Sequence, residues 1–176
     1  MKVSIVLFFA LLFIGQIGYY LNEDQTVQSY TNTLAVEKMN IEWEREADLI
    51  HFKLTAPTTG WLAVGFNDKN DILHADLKML RVKHGKTEGL DLYVVGFGNP
   101  KPDDTLGGTN SLLRLSGSEQ KNQTRISFSI QLDDEHYSDG KLNFSKPIWF
   151  IAAYSVSDDF GHHSIMRRHQ LVDFSK

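Results

Sequence analysis

Gly60-Trp61-Leu62-Ala63-Val64-Gly65-Phe66-Asn67 is the stretch that decides the fold. From Trp61 to Phe66 it is apolar without alternation, and it is short and bracketed by glycine and asparagine, the pattern of a strand covered on both sides. Upstream, Leu49 to Thr55 places Ile50, Phe52 and Leu54 in alternation with His51, Lys53 and Thr55, which is the period of a half-buried strand. Ala56-Pro57-Thr58-Thr59-Gly60 separates the two. Downstream, the polar run Asn67 to Asp71 leads to a strand over Leu77 to Val82, and His84-Gly85-Lys86 supplies the next turn. Leu90 to Phe97, then a segment with Ile126, Phe128, Ile130 and Leu132 on one face, then Ile148 to Tyr154 complete the readable strands. Strands this short, divided by Gly, Pro, Asn and Asp and without an amphipathic helix of useful length, predict an all-β, immunoglobulin-like antiparallel β-sandwich of about eight to ten strands. Asp133 to Gly140 reads as a solvated loop with room for one helical turn.

The chain has 176 residues, the size of one domain with one hydrophobic core. Residues 1–18, with Lys2, the apolar run Val3 to Ile14 and then Gly15-Gln16-Ile17-Gly18, read as a secretory signal peptide, leaving 19–176 as a single domain. The apolar run is short for a bilayer span. Gln16 and Gly18 make a poor cleavage pair, so the alternative is an uncleaved N-terminal anchor; otherwise the mature domain has no membrane segment. The expected location is secreted, extracellular or periplasmic. The formal net charge is −4, and loss of Lys2 makes the remainder one unit more acidic, which disfavours nucleic acid and anionic lipid as partners. There is no cysteine, so thiol chemistry and disulfides are excluded and core packing must hold the fold. Asn122-Gln123-Thr124 and Asn143-Phe144-Ser145 are formal glycosylation acceptors.

The order of several motifs resembles the DOMON domain, a family of extracytoplasmic β-sandwiches that bind haem b or sugars. Gly60 to Asn67 followed by Ala75-Asp76 looks like its core, with Trp61, Gly65, Phe66, Asp76 and Trp149 as core-motif positions. Pro102-Asp103-Asp104 and Leu106-Gly107-Gly108-Thr109-Asn110 look like its central loop, and Ser116-Gly117-Ser118-Glu119 leads into Arg125 to Ile130. Ile148 to Tyr154 and Asp158-Asp159-Phe160-Gly161-His162-His163-Ser164 look like its last core strand and ligand loop. The match runs from about Ile41 to Phe174.

In haem-binding members the resemblance implies a methionine four residues before the loop aspartate and a histidine in the C-terminal loop as axial ligands. The histidine is His163, beside His162; the methionine position is Ile72, whose aliphatic side chain cannot ligate iron. His74, two residues after Ile72 and on the same side of an extended segment, is the candidate second ligand for a bis-imidazole haem. Met79 reads as core packing, and Met166 is too close in sequence to His163 to reach the other face. The bland reading is an exposed His74 and a solvated basic loop of His162 and His163 with Arg167, Arg168 and His169. Asp103-Asp104 with Asp158-Asp159 could offer oxygen ligands to calcium, although turn aspartates explain them more simply. Trp61, Tyr93, Trp149 and Tyr154 could form a sugar platform, although Trp61 and Trp149 at strand starts are expected to fill the sandwich interior. No Gly-x-Ser-x-Gly elbow, His-Glu-x-x-His helix or phosphate-binding glycine loop is present.

The sequence thus predicts a binding module that is not an enzyme, with haem b as the first ligand to test, electron transfer to a redox partner protein as its use, and His163 and His74 at the iron. The alternative is a non-haem carbohydrate-binding or adhesion module of the same fold, its haem pocket filled by side chains such as Ile72.

Overall fold

The alternation read in Leu49 to Thr55 becomes a strand with Ile50, Phe52 and Leu54 fully inside and Lys53 and Thr55 half-exposed on the other face. The computed structural model describes residues 29–131 and 142–175. The signal-peptide reading and the loop expected over Asp133 to Gly140 lie outside the described residues. Eleven strands run in chain order among them: β1 (Asn32–Val36), β2 (Met39–Glu46), β3 (Leu49–Ala56), β4 (Leu62–Asn67), β5 (Asp76–Lys83), β6 (Lys86–Gly96), β7 (Asn99–Pro102), β8 (Leu113–Gln120), β9 (Gln123–Gln131), β10 (Ile148–Tyr154) and β11 (Met166–Val172). A single 3₁₀ turn, Asp103–Leu106, follows β7.

Two antiparallel sheets form the sandwich. One has the order β1-β2-β3-β9-β8 and the other β11-β10-β4-β5-β6-β7. Two-residue hairpins set several registers: Val36 pairs Met39, Lys83 pairs Lys86 and Gln120 pairs Gln123. Five of the six residues between them take positive φ, 55° at Glu37, 51° and 74° at His84 and Gly85, and 51° and 58° at Lys121 and Asn122. Left-handed turn residues match the twist of the strands they join. The strand count exceeds the sequence expectation because β1, β7, β8 and β11 lie at sheet edges, where exposed polar residues and the prolines of Asn99–Pro102 blunt the periodic signal.

Facing sides of the sheets enclose one core: Ile41, Trp43, Phe52, Leu54, Leu62, Val64, Phe66, Phe128, Phe150 and Phe174 with their neighbours. Phe66 sits at its centre, with ring centroids 5.7 Å from Phe52, 5.6 Å from Phe150 and 5.9 Å from Phe174. The six-stranded sheet carries a second apolar layer on its outer face. There Trp61 packs with Ala63, Met79, Leu92 and Ala153, and Ala75 packs with Val94 and Ile151. This corrects the expectation for the tryptophans. Trp61 is buried, but beneath loops on the outer face and not between the sheets; Trp149 points to the same outer side and is only half-buried, because Ile148 and Phe150 take the inward positions of β10. Met79 is a packing residue, as expected, in that outer layer.

Gly60 ends the β3–β4 connection where it crosses the chain leaving β10. A Cβ there would fall 2.5 Å from the Ser155 carbonyl oxygen and 2.6 Å from the Val156 carbonyl carbon. The crossing is closed by Trp61 N–H donating to Ser157 O (3.1 Å) and Ser155 N–H to Trp61 O (2.9 Å), and by the Thr58 hydroxyl donating to Ser155 O. Glycine in the Gly-Trp pair is therefore a demand of backbone approach.

Candidate functional site

Two loops flank the outer apolar layer, one leaving β4 and the other leaving β10. The first, residues 68–75, follows Asn67; the second, residues 155–165, lies beside Trp61, since β10 runs antiparallel to β4 with Tyr154 opposite Leu62 and Trp149 opposite Asn67. Asn67 builds the first loop. Its buried side-chain amide donates to Asp71 O (2.7 Å) and Leu73 O (2.9 Å), its Oδ1 accepts from Lys69 N–H (3.2 Å), and Asp71 Oδ1 accepts from Leu73 N–H (3.0 Å). Ala75 N–H then donates to Ile72 O across a turn in which His74 has φ 67°. That turn breaks the extended alternation, so Ile72 and His74 go to different sides. Ile72 packs on the outer layer with Ala75, Val94 and Ile151, whereas the His74 ring meets the Tyr93 hydroxyl at 3.2 Å. Tyr93 and Val94 are consecutive on β6 and project to opposite faces.

The second loop is held onto the outer layer. Trp61 Nε1–H donates to His162 O at 3.2 Å, and Ser155 Oγ lies 3.0 Å from both His162 Nδ1 and His163 O. Arg81 reaches across from β5, its guanidinium 4.4 Å over the Phe160 ring and donating to Asp158 O (2.7 Å), while Glu88 accepts from its other nitrogens. Phe160 thereby packs on the Trp61 cluster, and the His163 side chain remains exposed. The structure does not bring His74 and His163 together: His74 faces Tyr93 on the side away from Ile72, whereas the His163 loop lies on the outer layer. The expectation that His74 shares the side of Ile72 fails because the residue between strand and turn is left-handed.

On that other side lies a cavity of about 260 Å³, lined by Asn67, Asp68, Lys69, Leu73, His74, Tyr93 and Leu142. Its walls mix the Tyr93 ring and two leucines with an amide, a carboxylate, an ammonium and an imidazole. Burial, together with the nearby Asp68 charge, pushes the Tyr93 phenol above its ordinary range, so it stays a neutral hydrogen-bonding group. Of the four aromatics weighed as a sugar platform, only Tyr93 lines this cavity; Trp61 and Tyr154 are buried elsewhere.

Asp76, the loop aspartate of the motif, points inward from β5 into a buried charged cluster that the sequence reading missed. Lys78 Nζ donates to Asp76 Oδ1 at 2.6 Å and to Asp91 Oδ1, with all three side chains 8% exposed or less. Ser111 N–H and its hydroxyl both donate to Asp91 Oδ2 at 2.6 Å. Burial alone would lower the Lys78 ammonium pKa, but the charges and hydrogen bonds of Asp76 and Asp91 outweigh it and hold the group above its ordinary range. Carboxylate oxygens of Asp76, Asp91 and Asp103 lie within 4.8 Å of one another. The two aspartate pairs weighed for calcium therefore do not meet as one set, since Asp103 joins the Lys78 cluster while Asp158 caps Arg81 through its carbonyl. The one signal for this cluster was a lysine at an inward position of a strand, two residues after an aspartate.

Residues that would hold a haem can be judged from this donor set. A six-coordinate iron needs a ligand from each loop; the first offers Ile72 on the outer face, and His74 is turned away. The set does not fit such a group.

Comparison with known proteins places these elements in a family. The DOMON domain model matches residues 35–155. Among solved structures, the chain resembles the cytochrome b domain of pyranose dehydrogenase from Coprinopsis cinerea, with a TM-score of 0.57 and 12% identity over 78% of this chain and 77% of that one. It also resembles the cytochrome domain of Myriococcum thermophilum cellobiose dehydrogenase, with a TM-score of 0.50 and 9% identity over 80% and 76%. At such identities the likeness is one of fold, and the family match covers more than half of the chain, including the Gly-Trp strand, Asp76 and β10: this protein belongs to the DOMON domain family.

Proposed function

We propose that this chain is an exported, non-catalytic DOMON binding module whose ligand is a small polyhydroxylated molecule of the monosaccharide class, held in the cavity beside Tyr93 and His74. The observation that carries this reading is the cavity itself. At about 260 Å³ it is smaller than the usual drug-sized pocket and takes roughly one sugar ring. An aromatic ring and two leucines offer apolar contact to the C–H face of a sugar, while Asp68, Lys69 and His74 offer donors and acceptors to its hydroxyls. The loop is built before any ligand arrives, because Asn67 and Asp71 fix it through four hydrogen bonds, and preorganisation lowers the cost of binding. Export is supported by the apolar run near the N-terminus.

Haem b with electron transfer is the second reading, favoured by the cytochrome domains among the structural relatives. The missing second axial donor stands against it.

Titration calorimetry of the full chain against a panel of neutral, amino and acidic monosaccharides tests the first reading. Saturable heat with at least one sugar, lost in Tyr93→Ala and Lys69→Ala variants that keep the wild-type urea midpoint, is the expected result. Binding that survives both substitutions places the ligand elsewhere and ends the assignment of this cavity.

A further inference from the structure

We infer that the outer face of the six-stranded sheet, which the methionine and histidine positions of the family pattern would offer to a porphyrin, is filled by the protein's own side chains and does not take haem. Ile72 and the His163 loop border this face from opposite ends, so any porphyrin clasped between them would lie over Gly65, Leu77, Ile151 and Ala153. That ground is occupied. Leu77 packs against both outer clusters and joins them into one layer, and its Cδ1 lies 3.3 Å from where a Cβ on Gly65 would be. Around it on the same face Ala75, Ile151, Val94, Ala63, Leu92, Ala153 and Trp61 are between 0% and 5% exposed.

The plug is fastened at both ends. At one, Ile72 seals the Val94 and Ile151 pair in place of a thioether donor, and Asn67 clamps its loop. At the other, Phe160 caps the Trp61 cluster and is trapped under the Arg81 guanidinium, which also binds Asp158 O. Met79 is the thioether on this face among the described residues, and it is 7% exposed under the same layer, a packing residue and not a presented ligand. To seat a porphyrin the protein would have to displace Leu77 and Phe160 and break the Arg81 latch, and one imidazole from the exposed His163 would be the only return.

The test is titration of the full wild-type chain with hemin, followed by the Soret band and by quenching of tryptophan fluorescence. The wild type is expected to give no saturable Soret shift and no stoichiometric quenching. A stoichiometric Soret band from the wild type, removed by His163→Ala, overturns the inference whatever the sugar cavity does. A second protein, Ile72→Met with Leu77→Ala and Phe160→Ala, opens the layer and supplies the thioether. With its fold checked by far-ultraviolet circular dichroism and its urea transition, it is expected to gain a saturable Soret band. A folded triple variant that still rejects hemin would show that these side chains are not what excludes it, and would overturn their assignment as the plug.

Discussion

Replacing Lys78 by Met tests whether the inward motif aspartate is held by charge. Methionine keeps an unbranched stem of similar length, so packing changes little and the loss is that of the ammonium shared by Asp76 and Asp91. Removing one partner of a buried ion pair typically costs about 3–5 kcal/mol, because the remaining charge stays buried. Asp91 keeps two hydrogen bonds from Ser111, which puts the expectation at the low end, about 3 kcal/mol. With a urea slope of about 2 kcal/mol per molar, the midpoint falls by about 1.5 M. The stabilisation has a definite sign in pH. In the wild type the Lys78 pKa is raised, so its stabilisation is complete below the ordinary lysine range and fades only as pH climbs through the raised value; acidification gives it nothing. In the variant the buried carboxylates lose their cation and remain as uncompensated buried charge, which is the source of the deficit. A second substitution, Asp91→Leu in the Lys78→Met background, recovers part of the loss. An unchanged urea midpoint, or no recovery in the double variant, would refute the reasoning.

Trp61→Ala removes the largest side chain of the outer layer and its bond to His162 O, and costs about 3–5 kcal/mol in urea denaturation with or without sugar present. An unchanged midpoint would place Trp61 on a recognition surface instead. Gly60→Ala forces a methyl group against the backbone of residues 155–157, and a loss of about 1–3 kcal/mol is expected, against near-neutrality at Gly96, where the nearest atom is 3.8 Å away. His163→Ala, at an exposed position, changes the unfolding free energy measured in urea by no more than the roughly 0.5 kcal/mol typical of surface substitutions. A chain beginning at Tyr19 unfolds in one cooperative urea transition; aggregation of that chain alone would assign residues 1–18 to the domain.

The sandwich was legible where one face of a strand is buried and the other is wet, as in Ile50, Phe52 and Leu54 of β3, or where both are buried, as in β4. Edge strands were not. β8, with a glycine and two serines in its middle and most of its residues exposed, carries too little apolar alternation to stand out, and its place is set by pairing with β9. The same strand-start signal points Trp61 and Trp149 to the interior. Periodicity tells which residues share a face but not which face meets the other sheet, and here both faces of β4 are covered, one by a sheet and one by loops.

The site was legible in its positions and not in its directions. Ile72, His74 and Asp76 stand two apart, and in a strand all three would point the same way. One left-handed residue, His74, separates them: Ile72 goes to the outer layer, His74 to the Tyr93 cavity, and Asp76 inward to Lys78. Nothing in the residue types announces that turn, since it arises from the Asn67 amide drawing the loop carbonyls of Asp71 and Leu73 toward itself. The family pattern therefore fixes the course of the chain here without fixing a metal ligand. The aspartate answers to a lysine on its own strand, and the position where the resemblance expects a methionine belongs to an isoleucine that seals the sheet.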